Sequence, residues 1–206
     1  MISLITQHLL SFVKANTSIS KDEIEVYKYG IEITISSLLN IIIVFSLSFI
    51  FNDFMSGLCF LSCFILLRQF SGGYHAESYF KCNLALAISY LSVLFISKYF
   101  VKLPLGFVEG LLIIGLIVVI VCSPVNNKHK LLTNQKKAIC KRVSIVIYSI
   151  LSIVSIILKS LGNYYSSVIT LTLLVVALMI IIEIYLQKEG YHESKKNDCK
   201  CCSKNR

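Results

Sequence analysis

The sequence is poor in residues that interrupt secondary structure, with two prolines, nine glycines and no tryptophan among 206 residues. Its apolar segments are continuous rather than alternating, and few turn residues separate them, so a transmembrane β-barrel is not expected. Only 15% of the residues are charged, 56% are hydrophobic, and the mean hydropathy is +0.76. Because soluble domains carry about 25% charged residues, this composition predicts a helical integral membrane protein.

Acidic residues are also few, since the chain has 11 Asp and Glu against 20 Lys and Arg, for a formal net charge of +9. In a soluble protein this excess would suggest nucleic acid as a partner. Here the basic residues flank apolar segments, which is the pattern of basic cytoplasmic loops in a membrane protein. We therefore expect contact with anionic membrane lipids and no nucleic acid partner.

Six apolar segments approach the length of about 20 residues that a helix needs to cross a bilayer. They are predicted at residues 31–51, 54–67, 82–99, 105–122, 143–158 and 164–186. The expected fold is all-α: a polytopic membrane protein with about six transmembrane helices, forming a single domain over the whole chain, 1–206. The second segment has only 14 residues, so we expect it to be short or tilted, with Arg68 near the lipid headgroups.

Two terminal regions flank the predicted six-span bundle of residues 31–186. Residues 1–30 form an amphipathic N-terminal region, in which residues 1–14 have apolar side chains at helical spacing. Such a helix would lie on the membrane surface or pack on the bundle. Residues 187–206 form a basic tail, rich in Lys and Cys, which we predict to be disordered.

The basic residues orient the predicted bundle in a membrane. All but three of the 20 Lys and Arg residues fall on one side if that side holds both termini and the segments after the second and fourth spans. The exceptions are Lys98, Lys102 and Lys159. By the positive-inside rule we expect the basic side to be cytoplasmic, in a multi-pass protein of the cell membrane.

One polar segment, from Arg68 to Cys82, concentrates chemically active side chains at the expected membrane boundary, where such groups are candidates for function. His75 and Cys82 have the residue types of a base and a nucleophile. On one straight helix they would lie about 10 Å apart along the axis, too far for proton transfer. A dyad therefore requires a break in the helix between Gly72 and Ser78; otherwise the two are a loop histidine and a small buried cysteine.

Other cysteines and lysines have less specific patterns. Disulfides are not expected, because the remaining cysteines lie in or beside predicted spans or in the cytoplasmic tail. The tail sequence Cys199-Lys-Cys-Cys202 lacks paired Cys-x-x-Cys units, so we expect no metal and no cofactor. A run of basic residues without an acid follows the fourth span and would hold anionic lipid, an acidic peptide, or both. Its members are Lys128, Lys130, Lys136, Lys137, Lys141 and Arg142.

The pattern Arg-x3-Gly-Gly-x-His-x6-Cys, placed after the second span of a small basic six-span protein, resembles the accessory gene regulator B (AgrB) family. The loop that begins Ser-Pro-Val-Asn-Asn-Lys-His-Lys at Ser123 and the Tyr-Gly-x-Glu motif at Tyr29 also resemble that family, so the likeness covers nearly the whole chain. It implies a bacterial membrane cysteine endopeptidase of quorum sensing. Such an enzyme cleaves a small AgrD-like precursor at its C-terminal side and cyclises it, through an acyl-enzyme thioester, to a (thio)lactone autoinducing peptide.

The resemblance also implies roles for individual residues. His75 and Cys82 match the catalytic pair. Arg68 and Gly73 match positions important for processing, where we expect them to bind substrate. The basic loop matches residues that handle substrate, namely Lys128, Lys130, Lys136 and Lys137. Two other functions stay open, a peptide transporter or exporter and a non-enzymatic membrane scaffold, and a homodimer is possible. A transporter would need charges or broken helices within the spans, which the sequence does not clearly offer.

Overall fold

The structure, a computed structural model, describes residues 21–71, 79–123 and 134–203. These described residues contain six α-helices and no strand, so the all-α prediction is confirmed for them. The helices are α1 (Lys21–Ile50), α2 (Phe54–Ser71), α3 (Tyr79–Phe100), α4 (Leu105–Cys122), α5 (Asn134–Ser160) and α6 (Tyr165–Ser203). The amphipathic region predicted over residues 1–14 lies outside the described residues.

All six of these described helices contain a stretch long and apolar enough to cross a membrane, which confirms the predicted number of spans. The stretches are Gly30–Ile50, Phe54–Ser71, Lys81–Phe100, Leu105–Cys122, Gln135–Ser160 and Tyr165–Lys188. The fourth has the predicted bounds. The second has 18 residues rather than 14, because α2 continues through Arg68 to Ser71.

Two helices extend into polar sequence that we interpret as loop or tail from hydropathy. Helix α5 begins at Asn134, inside the predicted basic loop, because Lys and Arg are good helix formers with long apolar stems. Helix α6 continues to Ser203, beyond the end of the sixth predicted span at residue 186. No proline interrupts that stretch, and extending an existing helix adds one hydrogen bond per residue.

Helix α6 lies at the centre of the bundle, where it packs against α2, α3, α4 and α5. Of its membrane-spanning stretch 61% is buried, against 17% to 44% for the other described spans. Hydroxyl residues fill its buried first turns, and Ser155 of α5 bonds to the Thr170 hydroxyl at 2.6 Å. Small hydroxyl side chains let helices approach closely while satisfying each other's polar atoms.

Most of the basic residues lie at one end of the bundle. At the opposite end, two helix caps and one lysine hydrogen bond hold the connections between helices in place. The Asp53 carboxylate accepts a hydrogen bond from the Ser56 backbone N–H at 3.2 Å and so caps α2. The Asn163 side-chain oxygen accepts from the Tyr165 N–H at 2.9 Å and caps α6 in the same way. Lys159 at the end of α5 donates to the Val101 carbonyl at 2.6 Å, which satisfies an orphan acceptor beyond α3.

Candidate active site at the basic face

We call the membrane face where α2 and α4 end and α3 and α5 begin the basic face. Cys82 lies there in the first turn of α3, with its side chain half-buried. One turn further along the helix Leu86 is almost fully buried. The thiol is therefore at the edge of the core, close to the positive end of the helix dipole.

Arg68, in the last turn of α2, directs its guanidinium at this thiol. Its Nη2 atom lies 3.8 Å from the Cys82 Sγ, and its Nη1 atom lies 3.8 Å from the Sδ of Met179 on α6. The guanidinium carbon is 5.3 Å from the centroid of the Phe64 ring, one helical turn earlier on α2. The Arg68 guanidinium therefore contacts side chains of three helices, α2, α3 and α6.

The interaction between the Arg68 guanidinium and the Cys82 thiol depends on the charge of each group. A guanidinium is charged at any physiological pH, and it presents planar N–H donors. The thiolate is the nucleophilic form of cysteine. A guanidinium within hydrogen-bonding distance of sulfur can donate to negative charge that develops there during a reaction, and this contact distinguishes Cys82 from a cysteine that only packs.

Side-chain hydrogen bonds hold the helix ends around the thiol. Asn83, the residue after Cys82, accepts a hydrogen bond from the Ser36 hydroxyl of α1 at 3.1 Å. The Ser123 hydroxyl, just beyond α4, donates to the Ser71 carbonyl at the end of α2 at 3.4 Å. Both serines of the second contact are buried. These bonds tie α1 to α3 and α2 to α4 next to the Arg68–Cys82 contact.

Helix α6 contributes a carboxylate to the same region. Glu183 lies one turn beyond Met179, so the two side chains share a face of the helix. Its Oε1 atom accepts a hydrogen bond from the Gln187 side-chain amide at 2.8 Å. The basic face therefore carries an acidic side chain on the helix that also supports Arg68.

The other residues predicted for the site are only partly described. His75, Gly73, Lys128 and Lys130 lie outside the described residues, so the approach of His75 to Cys82 stays a prediction. The helix break predicted between Gly72 and Ser78 also lies outside the described residues and stays a prediction.

Two of the four predicted substrate-binding lysines are described, and both are on a different helix from Arg68. Lys136 is exposed and Lys137 is half-buried, both in the first turn of α5. That helix packs against α2, α4 and α6.

Sequence reasoning did not connect Arg68 with Cys82, and it missed the support from Phe64 and Met179. The contact between Arg68 and Cys82 could have been anticipated from the sequence. Consecutive antiparallel spans bring the end of one helix beside the start of the next, so residues that flank one short loop are natural neighbours. Met179 had no such signal, because it lies 111 positions from Arg68.

Metal binding has no support among the side chains that the structure describes. Five of its cysteines are free thiols: Cys59, Cys63, Cys82, Cys122 and Cys140. In the same part of the chain no group of three His, Cys, Asp or Glu residues lies close enough to hold an ion. The side chains of the Cys199–Cys202 cluster are outside that part.

Six membrane-spanning helices among the described residues, with a cysteine facing an arginine at one membrane face, define a multi-pass membrane protein with a candidate thiol site. A family model described as "Accessory gene regulator B" matches residues 6–186, which is most of the chain. The chain therefore belongs to the accessory gene regulator B family, whose members take part in accessory gene regulation, a quorum-sensing system.

Individual relatives agree with this assignment. A "Putative AgrB-like protein 2" of Clostridium perfringens is 32% identical over 177 residues, covering 81% of this chain and 80% of the relative. An "Accessory gene regulator protein B" of Staphylococcus aureus is 26% identical over 164 residues, covering 79% of this chain and 84% of the relative. A "Putative AgrB-like protein" of Lactiplantibacillus plantarum is 21% identical over 178 residues, or 86% and 88% of the two chains. No solved structure matches the chain.

Proposed function

We propose that this protein is a membrane cysteine endopeptidase that cleaves a small precursor peptide at its C-terminal side and cyclises it. The observation that carries the proposal is the 3.8 Å contact between the Arg68 guanidinium and the Cys82 thiol, in the first turn of a membrane-spanning helix. Membership of the accessory gene regulator B family supports an AgrD-like peptide as substrate. The product is then a cyclic autoinducing peptide.

The first half-reaction is acyl transfer from the peptide to the enzyme. His75 removes the thiol proton, and the Cys82 thiolate attacks the carbonyl carbon at the end of the signal sequence. As the tetrahedral intermediate collapses, the C–N bond breaks and the leaving amine takes the proton from the imidazolium. The C-terminal part of the precursor departs, and the signal sequence remains attached to Cys82 as a thioester.

The second half-reaction closes the ring. His75, neutral again after the first half-reaction, takes the proton from a cysteine thiol or serine hydroxyl of the bound peptide. The resulting anion attacks the thioester carbonyl, the bond from Cys82 to carbon breaks, and Cys82 leaves as a thiolate. Exchange of a thioester for a thiolactone conserves the bond type, whereas attack by water would release a linear peptide. The half-buried position of Cys82 at the edge of the core limits access of water to the intermediate.

Substrate binding is assigned to the basic residues between the fourth and fifth spans and at the start of α5. An acidic precursor tail would meet Lys128, Lys130, Lys136 and Lys137, and Gly73 would let the backbone approach closely. Lys136 is exposed at the start of α5 and is free of the packed core. Anionic lipid headgroups compete for the same lysines. The positive-inside rule puts this face, and with it the reaction, in the cytoplasm.

The test is reconstitution of the full chain in lipid vesicles with a synthetic AgrD-like precursor, with products read by mass spectrometry. Wild-type protein should yield the released tail and a peptide that is lighter by one water than the linear signal sequence. Cys82→Ala should yield neither. Cys140→Ala is the matched control, because Cys140 is also a half-buried free thiol and lies in the second turn of a span that starts at the basic face.

The outcome also separates the two other functions. A peptide exporter or a non-enzymatic scaffold would retain its activity in Cys82→Ala, since neither needs a nucleophile. Processing that survives in Cys82→Ala at the wild-type rate would refute the peptidase.

A further inference from the structure

Arg68 is held in a fixed position by two side chains that do not belong to the peptide-binding lysines. The Phe64 ring lies under the guanidinium at 5.3 Å, and the Met179 sulfur accepts from Nη1 at 3.8 Å. Both supporting side chains are buried, with exposed fractions of 3% and 9%. Stacking on an aromatic face and a directed N–H contact are the two interactions that suit a planar guanidinium and not an ammonium.

The remaining terminal nitrogen, Nη2, is the one that faces the Cys82 sulfur. With its face on the Phe64 ring and Nη1 on the Met179 sulfur, the guanidinium directs Nη2 at the Cys82 sulfur. A charge in partly apolar surroundings acts more strongly on its neighbour than the same charge in water. This geometry fits interaction with the thiol better than capture of a distant acidic tail.

We infer that Arg68 stabilises the Cys82 thiolate in both half-reactions, as the attacking nucleophile in the first and as the leaving group in the second. The inference rests on the proposed function and deepens it. It assigns Arg68 to the reacting sulfur, whereas the family pattern suggests only a position important for processing.

The Cys82 sulfur is negatively charged before the first bond forms and again when the ring is released. A cation fixed beside it can stabilise the sulfur at both points. In the first step the thiolate forms the S–C bond and its negative charge passes to the carbonyl oxygen. When the C–N bond breaks, the carbonyl re-forms, and the proton that the leaving amine takes up neutralises that charge. In the second step a deprotonated thiol of the peptide adds to the thioester carbonyl, and the bond from Cys82 to carbon breaks. Cys82 then leaves as a thiolate beside the same guanidinium, ready for the next precursor.

The Arg68 guanidinium should assist the cyclisation step most. A thioester exchange runs forward when the departing sulfur is the more stable thiolate, and rates rise with a better leaving group. The guanidinium gives Cys82 that advantage over the thiol of the peptide. Arg68 therefore favours release of the ring over return of the peptide to the linear acyl-enzyme.

The experiment measures the thiol itself, so it does not depend on processing. Purified full-length protein in detergent is alkylated with iodoacetamide at neutral pH, and the rate at Cys82 is followed by site-resolved mass spectrometry. Arg68→Gln should slow alkylation of Cys82 at least about tenfold, which corresponds to roughly 1.4 kcal/mol. Arg68→Lys should fall between Gln and wild type, because it keeps the charge and loses the planar contacts.

Two controls separate this effect from damage to the fold. Lys102→Gln removes one positive charge at the opposite face and should leave the rate at Cys82 unchanged. Within every variant, Cys140 serves as an internal reference thiol whose rate should not change. A parallel loss of protection at buried Cys63 would reveal an unfolded variant, and Arg68→Lys then carries the comparison.

The possible outcomes distinguish the inference from the proposed function. If Arg68→Gln abolishes processing but alkylates at the wild-type rate, Arg68 only binds the peptide and the inference is wrong, while the peptidase stands. If Arg68→Gln slows alkylation yet processes precursor normally, the contact has no part in the reaction and the inference is also wrong. If Cys82→Ala processes precursor, the proposed function itself fails.

Discussion

At the scale of single residues, the thiol of Cys82 differs from the other described cysteines by its neighbour rather than by its exposure. Cys59, Cys122 and Cys140 are also half-buried free thiols. Among the hydrogen bonds of the described side chains, Cys82 has a guanidinium at 3.8 Å. We therefore expect reactivity to follow the arginine contact and not the accessible area.

The base of the proposed pair gives a separate prediction at this scale. His75→Ala should abolish cleavage of the precursor and slow alkylation of Cys82, because the thiol loses the group that accepts its proton. The measurement combines the vesicle assay with alkylation. His192→Ala, in the C-terminal part of α6, is the control and should behave as wild type. Cleavage by His75→Ala at the wild-type rate would show that another group acts as the base.

At the scale of helices, α4 and α5 depend on one close contact. The Tyr148 hydroxyl of α5 is buried and donates to the Leu112 carbonyl of α4 at 3.2 Å. A Cβ atom added at Gly115 would collide with that hydroxyl, whereas one added at Gly110 of the same helix would meet open space. Gly115 therefore has a packing role that Gly110 lacks.

These two glycines make a matched pair of variants. Gly115→Ala should destabilise the bundle by about 1–3 kcal/mol, the usual cost of overpacking a core. Gly110→Ala should be neutral or slightly stabilising, since alanine favours the helix. The measurement is the midpoint of thermal unfolding in detergent, followed by circular dichroism. Equal midpoints for the two variants would contradict the packing of Tyr148 against Gly115.

The helices also show which parts of the fold the sequence can predict. Hydropathy predicted both ends of α4 to the residue, because Pro104 and the polar sequence after Cys122 flank an uninterrupted apolar run. It failed at the start of α5 and the end of α6, where charged residues break the apolar run without breaking the helix. The Arg68–Cys82 contact could be anticipated from antiparallel neighbours, but the role of Met179 could not, since it depends on tertiary packing across 111 positions.

At the scale of the whole molecule, the distribution of charge predicts how the bundle lies in the membrane. Single cysteines introduced into a chain without other cysteines can report it, because an impermeant maleimide labels intact cells only from outside. Lys102→Cys should be labelled in intact cells, and Lys136→Cys only after permeabilisation. Both side chains are exposed, so access to the reagent is comparable. The reverse pattern would place the thiol site outside the cytoplasm.

The central position of α6 has a consequence for biogenesis. Helices enter the membrane in the order of synthesis, so α2 and α3 are inserted long before the helix that packs against both of them. Until α6 arrives, Arg68 lacks the Met179 sulfur and the bundle lacks its most buried span. Nascent chains that stop short of α6 should therefore carry an unassembled thiol site, and quality-control proteases of the membrane can recognise them by their unpaired polar helix faces.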